Sequence, residues 1–216
     1  MILPVLLLPL FLPVDTAETV PRGVTMLRLT GGVDVLRTTF PSAPVLPLPT
    51  GLAELSRGVA DGCDLRLRYS TTAGLLHRAG PELRARLLGG SRYAVALRLY
   101  PSASFAGATR GEVTYGGDLS TQAMLLGTLR GPFGALTLEA GATGQWLVFE
   151  RFRGVSEVTT RPYLAFLEFG LGWERPLGPE ANLSVRLDLA VTLAPADPFA
   201  LAGLYPRLSV GGSFRL

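Results

Sequence analysis

The chain has 216 residues, 48% of them hydrophobic and only 17% charged, with a mean hydropathy of +0.34. Soluble domains carry about 25% charged residues, so this chain is too apolar to be disordered and too sparsely charged for an ordinary soluble surface. The net charge of +3 is scattered, with no basic run interleaved with aromatics, which argues against a nucleic-acid partner.

The first element, Ile2–Val14, is an unbroken apolar run carrying Pro4, Pro9 and Pro13. It is too short for a transmembrane helix, and its prolines would break one. An export signal fits it, with cleavage expected after Ala17. The expected domains are therefore a signal peptide over 1–17 and one folded unit over 18–216. Cys63 is the only cysteine, so no intrachain disulfide is expected.

Beyond Pro21 the chain alternates with a period of two, the signature of β-strands. Ten strands are predicted: Val24–Thr38, Gly51–Val59, Asp64–Gly74, Glu82–Leu88, Tyr93–Ser104, Thr121–Arg130, Ala135–Glu150, Arg161–Pro176, Ala181–Ala194 and Tyr205–Leu216. Eight is the alternative count. Short turns rich in Gly, Pro and Asp (60–63, 89–92, 131–134, 177–180) alternate with longer links over Thr39–Thr50, Leu75–Pro81, Phe105–Ser120, Arg151–Thr160 and Pro195–Leu204. Ten strands with this rhythm put both termini on the short-turn side of a closed antiparallel up-and-down barrel.

The alternation separates two faces. In Ala181–Ala194, Leu183, Val185, Leu187, Leu189 and Val191 oppose Ser184, Arg186, Asp188 and Thr192. Apolar residues outside and polar residues inside suit a transmembrane barrel. The reverse would suit a soluble periplasmic lipocalin-like binding barrel, which is the alternative. Strand length, the small Gly, Ser and Thr of the polar face, and Trp146 and Trp173 at opposite strand ends favour the membrane.

The last strand reads Tyr-Pro-Arg-Leu-Ser-Val-Gly-Gly-Ser-Phe-Arg-Leu. Together with the turn rhythm, it resembles small bacterial outer-membrane β-barrel proteins. The resemblance implies a C-terminal assembly signal at Ser209, Gly211, Phe214 and Leu216. It also implies a Gram-negative outer-membrane location, with outer-membrane lipid and the barrel-assembly machinery as partners. A porin-like solute path or a surface partner remains open at this point.

No catalytic arrangement is present. His77 is the only histidine and is expected in the second long link, without a motif around it. No phosphate loop, nucleophile elbow or metal-ligand spacing occurs, so neither an enzyme nor a cofactor is expected. What remains is the lumen. Parity points Arg28, Asp34, Glu54, Asp64, Arg66, Arg68, Glu82, Arg84, Arg86, Arg98, Arg130, Glu139, Glu168, Glu174, Arg186, Asp188, Arg207 and Arg215 inward. The arginines crowd the third to fifth strands, and the seventh and eighth supply only acids. The expected function is a structural or interaction barrel, or a narrow passive pore, with a salt-bridged lumen. Its outer loops, mainly Phe105–Ser120 and Arg151–Thr160, would meet any partner. Glu168 is expected to pair with an arginine across the lumen.

Overall fold

The computed structural model describes residues 16–36, 46–74, 76–108, 114–152, 155–159, 163–178, 180–193 and 204–216. The run Ile2–Val14 and residues 37–45 and 194–203 lie outside the described residues. The strands are β1 (Thr25–Leu36), β2 (Leu46–Ala60), β3 (Cys63–Thr72), β4 (Leu76–Gly89), β5 (Tyr93–Ala108), β6 (Thr114–Gly131), β7 (Gly134–Phe152), β8 (Val155–Thr159), β9 (Tyr163–Pro176), β10 (Ala181–Thr192) and β11 (Leu204–Arg215).

Each strand pairs antiparallel with its neighbour, β11 pairs with β1, and β7 bridges β6 and β9. The result is a closed ten-stranded up-and-down barrel. The short β8 stays out of the ring and pairs only with the far end of β7. Closure leaves the ring no free edge, the condition lipid imposes on any spanning sheet.

All ten predicted strands are present, but several links are shorter than expected. Residues 76–81 belong to β4, so the second link shrinks to 73–75, with Ala73 and Gly74 in the left-handed region at φ 52° and 67°. Phe105–Ala108 extends β5, Thr114–Ser120 extends β6, and Val155–Thr159 is a strand. Tyr115–Leu119 and Val155–Thr159 both pair with the end of β7, beyond the point where β9 begins opposite Gln145. A three-stranded sheet therefore rises above the ring on the side away from the termini.

The faces sort as the alternation requires. Leu29, Leu55, Leu67, Leu125, Leu138, Phe169, Leu187 and Leu208 are exposed on the outer wall. Two aromatic belts bound this apolar band. Tyr69, Phe105 and Trp146 lie toward the long-link end. Tyr93, Phe133, Trp173 and Phe214 lie toward the short-turn end. Tyr93 and Phe105 are twelve residues apart on β5. At about 3.3 Å per residue and about 40° of tilt, that is about 30 Å of height, the thickness of a hydrocarbon core. This arrangement overturns the lipocalin-like alternative, because a soluble barrel would expose the charges and bury the leucines. The folded protein is expected to stay in the membrane pellet after carbonate washing and to migrate differently on SDS gels before and after boiling. Release by carbonate would contradict the outer-wall assignment.

Candidate functional site

The interior is made of charge. Eight arginines (28, 66, 68, 78, 84, 98, 186 and 207) and eight acids (34, 54, 64, 82, 118, 139, 168 and 188) are buried. Most follow from parity. Arg78 and Asp118 do not, because the sequence places them in links, whereas β4 and β6 carry them. Arg86 and Arg215, expected inside, are exposed at the rim beside the short turns. A bulge between Arg86 and Leu88 ends the regular alternation of β4 there, and Arg215 sits one residue from the chain end. Arg130 and Glu174 are only partly covered, also near that rim.

The network begins on the wall formed by β2 to β4. Glu54 receives Arg66 at 2.7 Å and Arg68 at 2.5 Å. Asp64 receives Arg66 at 2.8 Å and Arg84 at 2.7 Å. Glu82 meets Arg68 at 2.6 Å and lies 3.6 Å from Arg66 and 3.8 Å from Arg98. Arg68 also lies over the ring of the buried Tyr100, 5.9 Å from its centroid, a cation–π contact. Acids thus stand on the arginine-rich strands themselves, and the charge of this wall is largely balanced within it.

Other contacts cross the lumen. Glu139 on β7 takes Arg98 of β5 at 3.2 Å and Arg186 of β10 at 3.0 Å. Neither β5 nor β10 is a neighbour of β7 in the ring, so these ion pairs are chords through the interior. Arg28 of β1 reaches Glu174 of β9 at 3.5 Å in the same way, whereas Arg186 also holds Asp188 on its own strand and Arg207 holds its ladder partner Asp34 at 2.6 Å. Arg68, Glu82 and Arg98 are 0% exposed. Glu168 faces the lumen as expected, but its hydrogen-bond donors are neutral: Gln122 Nε2 at 2.6 Å and Thr143 Oγ1.

Below this network, residues 16–22 fold back into the barrel mouth. Ala17 is buried against Ala94, Ala96, Met124 and Leu126, and its N–H donates to Thr128 Oγ1 at 2.7 Å. Val20 N–H donates to Asp64 Oδ2 at 2.7 Å. Arg84 donates to the carbonyl of Thr16, and Arg130 pairs with Glu18. Gly23, at φ 79°, turns the chain into β1, where Gly23 N–H donates to the Gly58 carbonyl at 2.9 Å. A Cβ on Gly58 would strike the carbonyls of Val20 and Pro21, so that glycine is what lets the strap lie against the wall. A 730 Å³ vestibule remains beside the strap, lined among others by Arg28, Glu54, Arg84 and Glu174. Sequence reading missed this strap, because it assigned residues up to Ala17 to the signal peptide and residues 18–22 carry neither alternation nor a motif.

Among solved structures, the chain resembles an outer-membrane channel of Pseudomonas putida F1, with a TM-score of 0.52 at 12% identity over 94% of this chain and 100% of that one. The fold is that of a small outer-membrane β-barrel. The barrel also matches the translocator domain of the autotransporter NalP of Neisseria meningitidis (TM-score 0.49, 14% identity, 93% and 91% covered). A third match is the attachment invasion locus protein Ail of Yersinia pestis (0.46, 11%, 90% and 99%). No protein-family model and no curated protein matches the chain.

The barrel places the last-strand motif at the seam. Ser209 and Gly211 are buried on the lumen side, and Phe214 and Leu216 are exposed on the wall or beyond it. A Cβ on Gly211 would collide with Thr30 Oγ1 and sit 2.9 Å from the Leu29 carbonyl. His77 is not in a link. It stands on β4, opposite Thr71, with its Nδ1 2.8 Å from the hydroxyl of Tyr69 and the two rings stacked. Cys63 opens β3 as a half-buried free thiol.

Proposed function

We propose that this protein is a closed outer-membrane barrel, sealed midway by its ion-pair network and at the periplasmic mouth by its own residues 18–22. The carrying observation is Glu139, which ties Arg98 and Arg186 together across the lumen. A ring of ten strands is narrow, whereas open aqueous channels use about 16–18. With arginine forks spanning it, little free cross-section is left for a solute. The lipid around the apolar wall and the barrel-assembly machinery at the last strand are the partners this reading needs. A surface partner would meet the sheet of β6, β7 and β8. No catalytic role is assigned.

Planar-bilayer recording tests the reading. The native chain is expected to give no steady stepwise conductance. Gly58→Val should displace the strap, since its side chain would occupy the place of the Val20 and Pro21 carbonyls. That variant should still conduct nothing, because the network above it is intact. Steady steps from the native chain would replace this reading with that of a narrow pore.

A further inference from the structure

Among the side chains whose exposure is described, the exposed charged ones lie at the short-turn end of the barrel. They are six arginines (22, 57, 86, 92, 175 and 215) and two acids, Asp61 and Glu180. The lumen is balanced, with eight arginines against eight acids. Among these exposed side chains the arginines outnumber the acids six to two, so this collar is positive.

The arginines come from the strap, β2, β4, the β4–β5 turn, β9 and β11, and so surround the mouth. Two of them point out of the wall. Arg57 alternates with the exposed Leu55 and Val59 and pairs in register with Leu65. Arg175 shares parity with Leu171 and Trp173 and pairs with Leu183. Both stand at the level of the belt of Tyr93, Phe133, Trp173 and Phe214, three residues and one residue from their strand ends. At that height the neighbour of the wall is the headgroup layer. An arginine there can lay its stem on apolar surface and carry its guanidinium to the polar layer, where its planar fork matches phosphate.

We propose that this collar binds the phosphates of anionic phospholipids in the periplasmic leaflet of the outer membrane. A leaflet, unlike a free anion, can engage arginines on all sides of the mouth at once, including the two that leave the wall sideways. The proposal rests on the membrane-spanning reading of the barrel, not on the closed state of its lumen.

The test uses the full chain carrying Trp146→Phe, so that Trp173 is the sole tryptophan reporter. The protein is folded into vesicles of equal parts phosphatidylcholine and phosphatidylglycerol, with brominated chains on one lipid or the other. Phosphatidylglycerol should quench Trp173 more strongly, with a relative association of about fivefold, the effect of one basic side chain at an anionic surface. The preference should collapse in Arg57→Gln/Arg92→Gln/Arg175→Gln and in high salt, and survive when the same positions are Lys. Equal quenching by the two lipids in the native collar would overturn the proposal. So would a preference that the glutamine variant leaves unchanged. Heat-modifiable migration after folding in phosphatidylcholine alone checks the barrel reading separately.

Discussion

Glu82→Gln is expected to destabilise the barrel by about 3–5 kcal/mol, read as a lowered urea midpoint of Trp fluorescence in vesicles. Glu82 is 0% exposed and stands 2.6 Å from Arg68, with Arg66 and Arg98 at 3.6 and 3.8 Å. Removing its charge leaves three guanidiniums leaning on Glu54, Asp64 and Glu139, which already serve Arg84 and Arg186. Solvent does not reach the site to compensate, and a lipid-clad wall surrounds it, so the excess positive charge has nowhere to go. Glu168→Gln is the matched control. Its carboxylate is held by the neutral donors Gln122 and Thr143, so the loss should be about 1.5–3 kcal/mol, the range for hydrogen bonds to a charged group. An equal loss in both variants would mean that burial alone, not the arginine cluster, sets the cost.

That contrast also shows what the sequence could and could not tell. Parity along a strand says which side chains enter the lumen, and Glu82, Glu139 and Glu168, assigned inward by it, are buried. It says nothing about which chord each side chain takes across the ring, and Glu168 meets an amide and a hydroxyl where an arginine was expected. The strand ends were misjudged where backbone-breaking residues lie inside strands. Ala79-Gly80-Pro81 reads as a turn, yet β4 runs through it. The β4–β5 ladder skips from Ala79–Ala103 to Leu83–Leu99, and prolines 81 and 101, which lack N–H donors, sit in that gap. Gly80 allows the close approach, because its Cβ would strike the Pro101 carbonyl. Arg78 was lost with that segment, and Asp118 was lost in the same way behind Gly116-Gly117. The β6–β7 ladder shifts by one residue between Leu119 and Ser120, with Trp146 as the extra residue on β7. A bulge adds one residue to one strand only, and no local pattern marks it.

Deletion of Phe214–Leu216 is expected to abolish accumulation in the outer membrane. These residues end the strand that closes the ring. Leu27 and Ala181 both pair with Phe214, and Met26 pairs with Arg215. Leu216 N–H donates to the Thr25 carbonyl at 3.0 Å, and Arg215 N–H to the Glu180 carbonyl at 2.9 Å. Without them, the ends of β1 and β10 face the headgroup boundary with unpaired backbone groups, each costing several kcal/mol where water is absent. The ring of Phe214 also covers Gly212, whose added Cβ would lie 3.3 Å from it, and supplies one aromatic of the periplasmic belt. Phe214→Ala keeps the backbone pairs and loses only the ring, so it should accumulate at a reduced level. The measurement is the heat-modifiable band in the outer-membrane fraction, set beside refolding of the purified chain in vesicles. A truncation that refolds in vesicles but is missing from the membrane assigns these residues to recognition by the assembly machinery. One that fails in both assigns them to closure of the seam. Normal membrane levels of the truncated chain would show that neither role is needed and that the ring closes on the pairs from Arg28–Ser213 to Asp34–Arg207 alone.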